Sequence, residues 1–204
     1  MCNLYRMRGR TAEIADWFGA EPSFEWTGDR DLYPKALAPV IRLDGGRRVL
    51  EGMTWGWPRQ VPGKRIDKAT GKPVMLSKQV TNVRNLESPM WRSAIANPAQ
   101  RCLVPFDRFS EYGQVRGPDG KLPLHWFWVL ERPISAFAGV WRPSEAGPIF
   151  AFLTTEPNSL VAPIHSKAMP VILNDDDHQR WLTSGGDEAR ALAEPFPAQL
   201  MAME

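Results

Sequence analysis

The sequence predicts an α+β fold: a single domain over residues 1–204, with curved antiparallel sheets, a barrel-like core and a few flanking helices. Three observations carry this expectation. Short runs rich in aromatic and aliphatic residues crowd the middle of the chain ("RCLVP", "LPLHWFWVLE", "ISAFAGVW", "PIFAFLTTE"), separated by turn signals such as "GPDGK" and "PSEAGP". Their short connections favour antiparallel pairing over the helical crossovers of parallel sheets. Nine Trp and 19 Pro in 204 residues point to large aromatic anchors in a turn-rich chain long enough to bury one core.

Taken in order, "TAEIADWFGA" reads as a helix capped by Thr11 and stopped by Gly19, with Ile14, Trp17 and Phe18 on one face. "YPKALAPVIRLDGG" is extended and ends in a turn, and "RRVLEGMTWGWP" is a strand with an aromatic end. The polar stretch "PRQVPGKRIDKATGKPVMLSKQ" reads as a long loop carrying Arg59, Lys64, Arg65, Lys68, Lys72 and Lys78. In "ESPMWRSAIAN", Ser88 caps a helix that Pro89 begins. Beyond the central strands, "MPVIL" is another short strand and "NDDDHQRWL" a helix capped by Asn174, with three acids at its positive end. A short Ala/Leu helix and the tail "PFPAQLMAME" follow.

Charge and composition narrow the function classes. With 25 Lys+Arg against 23 Asp+Glu the net charge is +2, so any surface for an anionic partner must be local. No run of 18 apolar residues occurs and "MCNLYRMRGR" lacks a signal-peptide core, so a cytoplasmic protein without a membrane partner is expected. Three histidines and no CxxC leave little to build a zinc site from, and no metal or cofactor is expected. Cys2 and Cys102 could pair, although a reducing compartment favours free thiols.

Cys2 is the first candidate for chemistry. A small residue after the initiator Met lets an aminopeptidase remove it, leaving an α-amine (pKa about 7.7–8.0) and a thiol (about 8.5) on one carbon. The amine can form a Schiff base with a carbonyl, and the thiol can then close a five-membered ring. Set against this, chain termini are often disordered and a cysteine there incidental. His165, in "VAPIHSKAMPVIL", reads either as a proton carrier or as a packed histidine. Glu111 closes the apolar segment of "VPFDRFSEYG", as an acid/base or as a solvated carboxylate. Asn82 and Arg84 in "TNVRN" are equally explained as turn chemistry and a solvated cation. Singly, none of these residues selects a chemistry.

In series they do. "MCNLYR", "WGWP", "TNVRNLES", "RCLVPFDRFSEY", "FAGVW", "FLTTEPN" and "IHSKAMPVIL" followed by "WL" resemble, in order and spacing, the SOS-response-associated peptidase (SRAP) family, from Cys2 to about Leu182. The resemblance implies a domain of curved antiparallel strands with a groove for single-stranded DNA, which captures abasic sites by a covalent bond. It implies that Cys2, freed of Met1, forms a thiazolidine with the ring-opened sugar. Asn82 would position Cys2, Glu111 would move protons during Schiff-base formation, and His165 would assist ring opening and reversal. Arg84 would contact phosphate, and Thr154 would line the sugar pocket. Arg6, Lys167 and the basic loop would add phosphate contacts, and Trp55 and Trp57 would stack on unpaired bases or belong to the core. The partner implied is single-stranded DNA containing abasic sites, met by a cytoplasmic monomer that joins the nucleoid when bound.

The chain departs from the family pattern at three places. Cys2 is followed by Asn3-Leu4 rather than Gly-Arg, so Arg6 is the candidate substitute cation. "HSKAMP" offers Lys167 where many members carry Arg, and a lysine cannot grip phosphate bidentately. The tail stops short of the family's C-terminal strand motif. Two other functions remain open: an N-terminal-nucleophile peptidase or amidohydrolase using Cys2, Glu111 and His165, and a non-catalytic single-stranded DNA-binding module.

Overall fold

The computed structural model describes residues 2–204, and two sheets organise them. In the larger sheet, strands Ile149–Thr155, Ser135–Arg142, Arg101–Phe106, Leu37–Asp44 and Arg47–Trp55 pair in that order. A parallel pairing of Ile149–Thr155 with Arg47–Trp55 joins the two ends, so these five strands close on themselves. Closure removes the exposed edges that a flat sheet of such apolar strands would present. The smaller sheet runs Met201–Met203, Leu124–Val129, Arg108–Tyr112, Tyr5–Met7, Arg30–Leu32, with every pairing antiparallel.

The aromatic strands earn their place by packing. Every residue of Arg101–Phe106 is buried, which is why the sequence there runs apolar without alternation. Phe106 stacks on Phe137 with ring centres 3.8 Å apart, and Tyr5 meets Trp55, Phe137 and Phe152 edge-on at 5.1, 5.8 and 6.0 Å. Such pairs add about 0.5–1.5 kcal/mol each beyond area burial. Gly139 lets two strands approach closely: a Cβ there would fall 2.7 Å from the Cys102 sulfur. The helix Asp177–Thr183 covers this centre with Trp181, whose indole N–H donates to the Cys102 carbonyl at 2.9 Å. No helix among the described residues is long and apolar enough to cross a membrane.

The expected long loop is instead a β-hairpin. Strands Trp57–Ile66 and Pro73–Val80 pair antiparallel with each other alone, forming a two-stranded ribbon. Both its faces are largely exposed, so no apolar alternation marks it in the sequence. The Asp67 carboxylate accepts from the amides of Ala69 and Thr70 and fixes the turn. Helix starts also shift. The observed helix Arg92–Ala96 follows a turn opened by Ser88, and Asp177–Thr183 begins after a turn at Asn174. Thr11 lies inside the helix Thr11–Phe18, and its hydroxyl bonds the Trp26 backbone instead of a helix amide. The tail, which stops short of the family's C-terminal strand motif, supplies an edge strand: Met201–Met203 pairs with Leu124–Val129.

Candidate active site

The site is built from four distant stretches that the two sheets bring together. Cys2 precedes the strand Tyr5–Met7, and Asn82 lies in the short strand Asn82–Val83 that pairs with Ile149–Thr155. Glu111 is on Arg108–Tyr112, and His165 lies in the turns between Ile149–Thr155 and Met169–Pro170. Cys2 is 1 % exposed despite being next to the chain end. Met1, whose removal the chemistry requires, lies outside the described residues.

Backbone bonds hold Cys2 in place. The Asn82 side-chain amide donates to the Cys2 carbonyl at 2.9 Å and to the Thr81 hydroxyl at 2.8 Å. Thr81 in turn donates to the Asn3 side chain at 3.2 Å. The Cys2 thiol points to the Leu4 carbonyl at 3.4 Å, an acceptor also used by the amide and hydroxyl of Ser110. The residue next to Ser110 is Glu111, so the strand that pins the N-terminal segment also delivers the carboxylate.

Burial sets the protonation states. The Glu111 side chain is 4 % exposed, and desolvation pushes its carboxyl up to about 7. Desolvation and then the Glu111 charge hold the Cys2 thiol well above its ordinary range, so it stays protonated at neutral pH. Burial also lowers His165, favouring the neutral ring. Its Nδ1 faces the Ala168 backbone, 2.9 Å from the carbonyl and 3.3 Å from the amide, while Nε2 faces Glu111 at 4.0 Å. An acid/base of pKa near 7 thus stands beside a neutral imidazole and a protonated thiol.

A cleft of about 350 Å³ opens beside Glu111, lined also by Asn3, Tyr33, Gln79, Thr81, Ser110 and Tyr112. Thr81 and Ser110 were not singled out in the sequence, although each adjoins a residue that was. A larger cleft of about 530 Å³, with Trp17, Asp107 and Arg108 in its walls, lies at the other end of the Arg108–Tyr112 strand and holds none of the expected site residues except through that strand.

The expected DNA-contacting residues divide. Arg84 and Lys167 line one open depression with Ser166 and Ala168, next to His165. The Arg84 guanidinium donates to the Thr155 carbonyl at 2.9 Å, which fixes its direction. Thr154 is buried beside this edge, its hydroxyl 3.4 Å from the Val83 carbonyl. Arg6 is committed elsewhere: it pairs with Asp31 at 2.6 Å and covers the Trp126 ring at 4.3 Å. Trp55 is fully buried, stacked on Phe152. Trp57 is 5 % exposed, edge-on to Trp91 at 4.8 Å and beneath the Arg142 guanidinium. Neither indole offers a face to a base, so their alternative as core residues is the one realised. Cys102 and Cys2 are free thiols. Among the described residues no group of three or more His, Cys, Asp or Glu gathers where a metal could sit.

Next to the amino end of the chain, then, stands a buried cysteine whose carbonyl is held by an asparagine amide, with a carboxyl of raised pKa and a neutral histidine alongside. The SOS response associated peptidase (SRAP) family model matches residues 1–204, and the chain belongs to that family. Abasic site processing protein YoqW of Bacillus subtilis (strain 168) is 26% identical over 212 residues, covering 98% of this chain and 90% of that protein. A protein of the same name from Bacillus phage SPbeta matches with the same figures, and YobE of Bacillus subtilis is 25% identical over 98% of this chain and 92% of its own. A crystal structure from Bordetella bronchiseptica, 25% identical, superposes with a TM-score of 0.75 over 99% of this chain and 98% of that one. One from Bacteroides thetaiotaomicron, at 19% identity and a TM-score of 0.74 over 99% and 90%, shares the fold.

Proposed function

We propose that the protein captures abasic sites in single-stranded DNA by a covalent bond through Cys2, once Met1 has been removed. The observation that carries this reading is the gathering at one buried corner of Cys2, Asn82, Glu111 and His165. The names of the curated relatives, abasic site processing proteins, point to the same substrate.

The chemistry follows from the protonation states. An abasic deoxyribose is mostly a closed hemiacetal. Opening it transfers the C1′ hydroxyl proton to a base while an acid protonates the ring oxygen, exposing the aldehyde with no net proton change. His165 and Glu111, facing each other at 4.0 Å, supply that pair. The α-amine then gives up a proton to the Glu111 carboxylate and attacks C1′. Protonated Glu111 returns the proton to the departing hydroxyl, so that water leaves and a protonated C=N bond forms. Last, the Cys2 sulfur bonds to C1′, the C=N electron pair returns to nitrogen, which keeps its hydrogen, and the thiol proton passes to the Glu111 carboxylate, closing the thiazolidine. The order amine-then-thiol is dictated by burial, because a thiol kept protonated is a poor first nucleophile. The same fact disfavours the peptidase alternative, which needs a thiolate to attack an amide. Arg84 and Lys167, which line one open depression, would hold the flanking phosphates.

The test is the intact mass of the protein before and after incubation with a single-stranded oligonucleotide carrying one abasic site. The expected result is a starting mass lacking Met1 and a heat-stable adduct, one water lighter than the sum, with the abasic strand alone. Met1-free protein that forms no adduct overturns the proposal, and turnover of an amide substrate without DNA would put the peptidase in its place.

A further inference from the structure

The hairpin Trp57–Val80 is charged unlike any other part of the molecule. It carries six cations, Arg59, Lys64, Arg65, Lys68, Lys72 and Lys78, and one acid, Asp67, whose carboxylate is taken up by turn amides. None of the six cations forms an ion pair with a described residue. Elsewhere ion pairs recur, as between Arg42 and Glu51, Arg47 and Glu21, Arg108 and Glu204, Arg132 and Asp175, and Arg190 and Glu87, although other arginines such as Arg10 and Arg92 are also without one among the described residues. Within the hairpin, Arg59 and Lys78 are direct cross-strand partners, side by side on one face. Like charges so placed destabilise a strand pair, and the hairpin holds no acid to relieve them. The arrangement makes physical sense with an external polyanion between them.

The shape narrows the polyanion. Beyond its base the ribbon pairs with nothing else, and its strands of ten and eight residues give it a reach of roughly 30 Å. Its one aromatic residue, Trp57, is buried at the base, so the free part has no platform on which unpaired bases could stack. A two-stranded ribbon does fit the major groove of a duplex, where backbone phosphates line both walls. The base is rooted in the site itself. The outgoing strand leads from Gln79, which lines the cleft, through Thr81 to Asn82, which holds Cys2. Gly56, at φ 129°, makes the turn into the ribbon, and a Cβ there would strike Gln79 at 2.9 Å.

We infer that the hairpin is an arm that grips duplex DNA adjoining the strand presented to Cys2, so that the preferred substrate is a lesion flanked by paired DNA. The inference rests on the DNA-capture reading above, and undamaged DNA keeps the two separable. Binding is measured on undamaged oligonucleotides, a single strand and the same strand flanked by duplex, across a range of salt concentrations. The variants are a sixfold Gln replacement of the arm cations and the single change Lys78→Glu.

With the duplex-flanked DNA, the sixfold variant is expected to lower the slope of log affinity against log salt by up to about 5, at about 0.9 for each arm cation in contact with a phosphate of B-form DNA. Lys78→Glu gives Arg59 a cross-strand partner and should therefore hold or raise the melting temperature while weakening duplex-flanked binding about tenfold. A purely structural role would move both readouts together. Unchanged slope and affinity in a folded sixfold variant overturn the arm, and a loss confined to the single strand overturns the duplex assignment. A wild-type protein that shows the arm effect but forms no abasic adduct would sink the capture proposal and leave the arm standing.

Discussion

The two cysteines are equally buried, 1 % exposed at Cys2 and 0 % at Cys102, and burial pushes both thiols upward. Their neighbourhoods differ entirely. Cys102 lies in the buried strand Arg101–Phe106, flanked by the strands Ser135–Arg142 and Leu37–Asp44, and its backbone carbonyl accepts from the Trp181 indole. Around Cys2 there are an asparagine amide, a hydroxyl chain through Thr81, a carboxyl titrating near neutrality and a histidine. Burial by itself therefore makes an inert packing residue. On the proposed reading, a buried thiol becomes a reactive centre only where titratable groups such as Glu111 and His165 are buried beside it.

The largest effect expected from this contrast is loss of the adduct in Cys2→Ala, with neither amine-to-thiol closure nor a persistent product in intact-mass measurements. A Schiff base through the remaining amine would be labile and trapped only by borohydride. Persistence of a heat-stable adduct in Cys2→Ala would erase the difference between the two cysteines.

Next in size is Glu111→Gln, which keeps the shape and removes the proton exchange. Adduct formation should slow about 10²–10³-fold in single-turnover assays, in line with the general acid/base contribution of one positioned group. The wild-type rate should rise between pH 6 and 8, as Glu111 becomes the carboxylate and the amine loses its proton. Stability should move the other way. The folded-state pKa, about 7, lies above the ordinary carboxylic value of 4.5, so Glu111 stabilises the fold fully below 4.5 and that contribution is lost as pH rises through 7. The loss is on the order of 3 kcal/mol at most. Melting temperature should thus fall from pH 5 to pH 8 in the wild type and change less in Glu111→Gln. A wild-type curve flat over that range would contradict the burial of this carboxyl.

Asn82→Ala should act more weakly. It removes one bond to the Cys2 carbonyl and one to Thr81, so the nucleophile loses orientation while every reacting group remains. A fall of about 10-fold in adduct rate with about 1–2 kcal/mol of lost stability is the expected outcome, read from kinetics and thermal melts in parallel. A rate equal to wild type would show that the Ser110 and Leu4 contacts suffice to hold the N-terminal segment.

How far this contrast was legible in the sequence depends on what each residue's signal was. The buried central strands announced themselves, because "RCLVP" and "ISAFAGVW" are apolar on both faces and can go nowhere but a core. Cys2, Asn82, Glu111 and His165 were legible only as an ordered series of motifs; each alone was compatible with turn or surface chemistry, and their meeting depends on strand pairings and hydrogen bonds between distant segments, such as Asn82 to Cys2 and Ser110 to Leu4. The hairpin was misread as a loop because an exposed ribbon leaves neither of its faces apolar, and pattern is all a sequence offers there. Trp55 and Trp57 are the converse case: aromatic residues beside basic ones suggest stacking on bases, but Trp55 donates its N–H to the Thr81 carbonyl at 3.1 Å and braces the site from within. The ion pair of Arg6 with Asp31, 25 residues away, left no mark in the sequence.

The smallest effect expected on the chemistry is also the one that isolates the comparison. Cys102→Ser replaces a buried thiol with a hydroxyl of nearly the same size in a setting with little to bond it, since the neighbouring backbone groups are already committed to strand pairing and to Trp181. The uncompensated hydroxyl should cost about 1–3 kcal/mol and lower the melting temperature by several degrees. Adduct yield and rate at temperatures well below the melt should match the wild type, because Cys102 takes no part in the proposed proton transfers. If Cys102→Ser instead slowed the adduct as strongly as Asn82→Ala does, the two regions would be coupled through the Tyr5 and Phe137 packing, and the corner around Cys2 would no longer be a self-contained centre.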